Sequence, residues 1–137
     1  MPVRDQLLVI EDDPQVAAAI RIRLDAAGYD IREARTGEQG LAALDEGVPS
    51  AVILDLRMPG IDGLEVCRRV RAEDRWRGLP VIVLSANVTD DVRKLALSAG
   101  ANEVMAKPYE PKRLTACIER VLADSPKDDF ATTRSPS

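Results

Sequence analysis

Residues 51–65 read AVILDLRMPGIDGLE, and this stretch sets the pattern from which the rest of the 137-residue chain can be read. Ala51 to Leu54 is a continuous apolar run that ends on Asp55; after a loop containing Pro59 and Gly60 comes Asp62, three residues before Glu65, the spacing of a capping box. A short Val/Ile/Leu run without polar alternation suits a strand of a parallel sheet, covered on both faces. Strand, polar loop and capped helix make one βα unit, and the unit recurs in both directions. Leu7 to Ile10 is followed by Glu11 and Asp12, with Asp13 as a cap before Pro14, and Val81 to Leu84 is followed by Ser85. Asp30 to Ala34 and Glu103 to Ala106, interrupted by polar residues, bring the strand count to five. Thr36 with Gln39 has the spacing of another capping box, and Gly28, Gly47 and Gly100 supply helix stops.

Between the strands, apolar residues keep helical spacing, as in Val16, Ile20 and Leu24, and again in Leu114, Cys117, Ile118 and Val121. Five βα units joined by short right-handed crossovers predict an α/β fold: a three-layer (βα)5 sandwich around a doubly wound parallel sheet of order 2-1-3-4-5. The expected domain runs over residues 1–123. Residues 124–137 lose periodicity, gain Ser, Pro and Thr, and are expected to be a flexible tail or linker.

Composition narrows the chemistry. Lys and Arg number 19 against 23 Asp and Glu, a formal charge of −4, which argues against direct binding of nucleic acid or anionic membranes. Histidine is absent, so no histidine relay, imidazole metal site or histidine base lies within the chain. Cys67 and Cys117 lie far apart in helical segments and are expected as buried, reduced thiols. Neither a membrane-length apolar stretch nor the form of a signal peptide is present, and the expected location is the cytoplasm.

The polar residues after the strands carry the functional signal. Glu11 and Asp12 follow the first strand, Asp55 the third, Ser85 the fourth and Lys107 the fifth. In a parallel sheet these carboxyl ends share one edge, and ligands of open α/β sheets bind there, where the strand order reverses. Three carboxylates against one ammonium leave a charge of −2, which a divalent cation balances. An all-oxygen donor set favours Mg²⁺, with Mn²⁺ able to take its place. Asp55 is ionised at neutral pH and needs no base to act as a nucleophile, as in aspartyl-phosphate chemistry. Lys107 and the Ser85 hydroxyl would then pair with phosphoryl oxygens. With no GxxxxGK[ST] loop and no GxGxxG, the phosphoryl donor is expected to be a small molecule or another protein.

The segments VIEDDP, VILDLRMPGIDGLE, VIVLSA and VMAKP, in this order between about Gln6 and Leu122, resemble the signatures of a response regulator receiver domain of two-component signalling, like the single-domain chemotaxis regulators. The resemblance implies a flavodoxin-like fold and Asp55 as phosphoacceptor. It also implies Asp12 as a direct Mg²⁺ ligand, Glu11 as a ligand through water, the Arg57 backbone carbonyl as a further ligand, and catalytic roles for Ser85 and Lys107. The implied donor is a phosphohistidine on a sensor histidine kinase or phosphotransfer protein, and the implied output is altered binding of a downstream effector protein or domain, with movement over about Ala86 to Glu110. The family often has a cis peptide before the proline, here Lys107–Pro108, and an aromatic residue where this chain has Val104. Arg57 and Asn87 sit where relatives tune attack by water on the acyl phosphate. A weak apolar surface on the helix starting near Glu110 is expected to suit a homodimer.

Three other readings compete. An aspartyl-phosphate phosphatase would place a second Asp two residues after the nucleophile, where Arg57 stands. A flavin protein would have a Ser/Thr-rich loop where this chain has EDDP. A pseudo-receiver would act as an interaction module independent of phosphorylation. The expected protein is a phosphorylation-controlled switch and not a metabolic enzyme.

Overall fold

The structure, a computed structural model, describes residues 4–58, 60–107 and 110–124. The expected tail beyond Asp124 and the Lys107–Pro108 peptide bond lie outside the described residues. Strands β1 (Gln6–Ile10), β2 (Asp30–Ala34), β3 (Ala51–Asp55), β4 (Val81–Ser85) and β5 (Glu103–Ala106) alternate with helices α1 (Pro14–Ala26), α2 (Gly37–Glu46), α3 (Gly63–Ala72), α4 (Asp90–Ala99) and α5 (Pro111–Ala123). A 3-10 turn at Asp74–Trp76, which the sequence pattern did not announce, sits between α3 and β4. All strand pairs are parallel and the order is β2-β1-β3-β4-β5, as the βα alternation predicts.

Period-two alternation along the strands divides the core into two layers. Leu8, Ile10, Val52, Leu54, Val81 and Val83 face Leu44 of α2, Val66, Cys67 and Val70 of α3, and Ala96 and Ala99 of α4. Leu7, Val9, Ala51, Ile53, Ile82 and Leu84 face Ile20 and Leu24 of α1 and Leu114, Cys117, Ile118 and Val121 of α5. Most of these side chains are wholly buried. Each large one contributes about 1.5–3 kcal/mol relative to exposure. Both cysteines are free and buried, as expected.

Helix starts follow local chemistry. Asp13 caps α1 by accepting from the Gln15 and Val16 N–H groups, Thr36 caps α2 through Gln39 N–H, and Asp62 caps α3 through Glu65 N–H. The return half of each expected capping box is not made. Gln39 Oε1 accepts from Arg35 N–H, one residue before the cap, and Glu65 pairs with Arg68 and Arg69. Thr89 caps α4 by accepting from Val92 N–H. Of the three expected glycine stops, Gly28 and Gly100 adopt left-handed backbone, whereas Gly47 is extended with φ 176°. The exposed large apolar side chains among the described residues are Ile22, Val48, Leu95 and Leu97. Ile22 lies on α1, Val48 follows α2, and Leu95 and Leu97 lie two residues apart on α4, whereas Leu114, Cys117, Ile118 and Val121 of α5 are turned onto the sheet.

Candidate functional site

Asp55 ends the central strand β3 and is 8% exposed. Its backbone is held on two sides. Leu56 N–H donates to the Leu84 carbonyl at 3.0 Å, extending the β3–β4 ladder past Asp55, and Gly63 N–H donates to the Leu56 carbonyl at 3.0 Å. A Cβ on Gly63 would stand 2.7 Å from the Asp55 carbonyl oxygen, so only glycine lets α3 begin this close to the strand end. The Asp55 carboxylate accepts from Arg57 N–H at 3.4 Å. The Arg57 side chain is exposed.

Glu11 and Asp12 leave β1 next door. Glu11 N–H donates to the Ala34 carbonyl at 3.0 Å, carrying the β1–β2 ladder one residue further. Its side chain is 3% exposed. The two carboxylate oxygens are separately engaged, Oε2 by Asp13 N–H at 3.1 Å and Oε1 by Lys107 Nζ at 3.0 Å. Asp12 is exposed. Carboxylate oxygens of Glu11, Asp12 and Asp55 lie within 4.8 Å of one another, so the three acids that the sequence singles out converge.

The ends of β4 and β5 complete the edge. Ser85 is 4% exposed and its Oγ accepts from Asn87 N–H at 3.3 Å. Its carbonyl accepts from Lys107 N–H at 2.8 Å, which fixes where the lysine leaves β5. Lys107 Nζ then reaches Asp55 Oδ1 at 3.1 Å as well as Glu11. In this structure the ammonium thus bridges two carboxylates.

These contacts shape the charges. Burial pushes the Glu11 carboxyl upward; the Asp13 N–H and Lys107 oppose this, the nearby Asp55 charge adds to it, and the result is a raised value. Burial disfavours the Lys107 ammonium, but its hydrogen bonds to Glu11 and Asp55 outweigh that and raise its value. With Asp12 included, one ammonium faces three carboxylates. An all-oxygen acidic group of this kind fits a hard divalent cation such as Mg²⁺.

Two residues near the site had no signal in the sequence. Arg35, on the loop after β2, donates to the Glu11 carbonyl at 3.5 Å and to Glu33 Oε1 at 2.8 Å. Arg93 of α4 donates to the Val104 carbonyl of β5 at 3.4 Å. Val104 itself is 3% exposed and belongs to the α2–α3–α4 layer of the core. Both contacts join segments distant in sequence, so no local spacing announces them.

Residues 7–119 match the family model described as the response regulator receiver domain. The chain belongs to this family. Among curated relatives, the receiver is 40% identical over 116 residues to the transcriptional regulatory protein AfsQ1 of Streptomyces coelicolor, covering 85% of this chain and 50% of that protein. It is 38% identical over 120 residues to the DNA-binding response regulator MtrA of Mycolicibacterium smegmatis, covering 88% and 51%. The receiver thus spans about half the length of these relatives. Among solved structures, the receiver domain of a sensor histidine kinase from Pseudomonas aeruginosa PAO1 has a magnesium ion coordinated in its active site cleft. It shares 29% identity with this receiver at a TM-score of 0.82, covering 88% of this chain and 99% of that one. Receivers are regulatory modules of two-component systems, and the acidic group formed by Glu11, Asp12 and Asp55 fits a magnesium site. Among the described residues no helix is long and apolar enough to cross a membrane.

Proposed function

We propose that this receiver takes a phosphoryl group onto Asp55 from a phosphohistidine of a sensor histidine kinase or phosphotransfer protein, in a Mg²⁺-dependent reaction, and that the aspartyl phosphate changes which effector it binds. The observation that carries this reading is the placement of Lys107 Nζ 3.1 Å from Asp55 Oδ1 at the rim of a three-carboxylate group. A buried nucleophilic carboxylate, a positive charge beside it and an acidic cluster fit to hold a divalent ion are what in-line phosphoryl transfer requires of a protein.

An Asp55 oxygen attacks phosphorus, the phosphorus–nitrogen bond of the donor breaks, and its electron pair stays on the imidazole nitrogen, which takes up a proton. Lys107 leaves its carboxylate partners to pair with a phosphoryl oxygen, and the Ser85 hydroxyl donates to another. Asp12, Asp55 and the Arg57 carbonyl are the residues that would hold Mg²⁺, with Glu11 contributing through water. The ion would supply positive charge to offset that of the phosphoryl group. The phosphoryl group stays on the chain's own aspartate and the donor histidine is left free, so the protein works as a switch and not as a metabolic enzyme. The switched surface is expected over Ala86 to Glu110, the segments that follow Ser85 and carry Lys107. Effector, cytoplasmic location and a homodimer form belong to the same proposal.

Intact-mass measurement with acetyl phosphate and Mg²⁺ tests it. The expected result is a gain of one phosphoryl group, dependent on the metal and lost in Asp55→Asn. A folded wild-type sample that gains no mass would overturn the reading.

A further inference from the structure

The backbone of Glu11 is held on both sides from outside the acidic group. The N–H of the preceding peptide donates from Glu11 to the Ala34 carbonyl at 3.0 Å, and the carbonyl of the peptide that joins Glu11 to Asp12 accepts from Arg35 Nη1 at 3.5 Å. Arg35 is itself fixed at both ends. Its backbone N–H donates to Gln39 Oε1 at 2.9 Å, and its Nη2 donates to Glu33 Oε1 at 2.8 Å. Glu33 is held from its other side by Arg21 of α1. The result is a guanidinium, carboxylate, guanidinium chain that runs from α1 across the end of β2 to the β1–α1 loop.

Asp12 gives this grip its importance. Glu11 and Asp55 have their carboxylates oriented by Lys107 and by backbone N–H groups. The Asp12 carboxylate makes no hydrogen bond or ion pair among the described residues. What places it within reach of the other two acids is therefore the position of its backbone, which begins with the peptide whose oxygen Arg35 holds.

We propose that Arg35 is a positioning residue for the divalent-cation site, holding the Glu11–Asp12 peptide so that Asp12 converges with Glu11 and Asp55. The proposal rests on the reading of that acidic group as a Mg²⁺ site. Groups behind the ligands commonly alter metal affinity by 10-fold to 100-fold. The 3.5 Å bond places Arg35 at the weak end of that range. Its charge acts in the opposite sense, since a guanidinium beside a cation site repels the cation. Positioning and charge can thus be separated by the direction of the effect.

The experiment is calorimetric titration of the unphosphorylated full chain with Mg²⁺, for wild type, Arg35→Lys and Arg35→Gln. Lys keeps the charge and loses the two-pronged grip, whereas Gln loses both. Arg35→Lys is expected to bind Mg²⁺ about tenfold more weakly, and Arg35→Gln more weakly by a smaller factor, since losing the charge offsets part of the lost positioning. The Mg²⁺ concentration that half-saturates phosphorylation by acetyl phosphate should rise by the same factor, while the rate at saturating Mg²⁺ stays within about twofold of wild type. Wild-type affinity in Arg35→Lys, or tighter binding in Arg35→Gln, would show that only charge acts and would overturn the proposal. A lowered unfolding midpoint with unchanged Mg²⁺ affinity would make Arg35 a prop of the fold and overturn it too. If wild type binds no Mg²⁺, the reading of the acidic group falls first, and this inference falls with it.

Discussion

Lys107 reaches Glu11, 96 residues earlier in the chain, with Nζ 3.0 Å from Oε1. The partner is a carboxylate so buried that its titration is pushed upward, and the Asp13 N–H together with Lys107 favours the charged form there. Lys107→Met should therefore lower stability at pH 7 by roughly 2 kcal/mol, less than the 3–5 kcal/mol of a fully buried broken pair because the lysine is partly exposed. Because the folded value of Glu11 is raised above 4.5, the fold binds this proton more tightly than the unfolded chain does. The contribution of Glu11 to stability is complete below pH 4.5 and is lost as pH rises through its folded value. The Lys107→Met deficit should accordingly shrink toward pH 4, which urea unfolding at the two pH values would measure.

Glu33 has the opposite linkage. Burial would raise its value, but hydrogen bonds from Arg21 and Arg35 outweigh this and lower it below 4.5. Its stabilisation is present above 4.5 and is lost as pH falls through the lower folded value. Both arginines are well exposed and solvent screens the pairs, so Glu33→Gln should cost about 1 kcal/mol or less at pH 7. The difference from wild type should vanish in acid, as thermal midpoints across pH 2–7 would show (a span set by the usual carboxylate range of about 4).

Two glycines should respond oppositely to alanine. At Gly63 the new Cβ meets the Asp55 carbonyl oxygen at 2.7 Å, and backbone cannot yield as a flexible side chain does. Gly63→Ala should destabilise by about 1–3 kcal/mol and displace Asp55, slowing phosphorylation by acetyl phosphate. Gly47 is extended, with φ 176°, and a Cβ there meets nothing within 4 Å. Gly47→Ala should be neutral or stabilising by up to about 1 kcal/mol.

The thiols should be silent in the folded protein. Burial pushes Cys67 up to about 11 and raises Cys117 as well, so the thiolate is scarce at pH 8. Ellman's reagent should find almost no reactive thiol in the native state and two in urea. Rapid native reaction of either would show that its helix opens readily.

Periodicity made most of this fold legible. The Val/Ile/Leu runs placed β1, β3 and β4 to within a residue, and short connections pointed to a doubly wound sheet, whose order is the expected β2-β1-β3-β4-β5. The residues of the candidate site were legible because a parallel sheet sends everything after its strands to one edge. What escaped were contacts that only the assembled fold creates. Arg71 reads in sequence as one more arginine of α3, yet its guanidinium joins the Gly100 and Arg77 carbonyls, each at 3.0 Å, to Asn102 Oδ1 at 2.9 Å. Arg35 escaped for the same reason, since the residue it holds lies across the β1–β2 boundary.

Asp55 hangs from the middle strand of five, flanked by β1 and β4, whereas Lys107 hangs from β5, which has a neighbour on one side only. The two partners of this ion pair therefore hang from unequally supported strands, one braced along both flanks and the other along one.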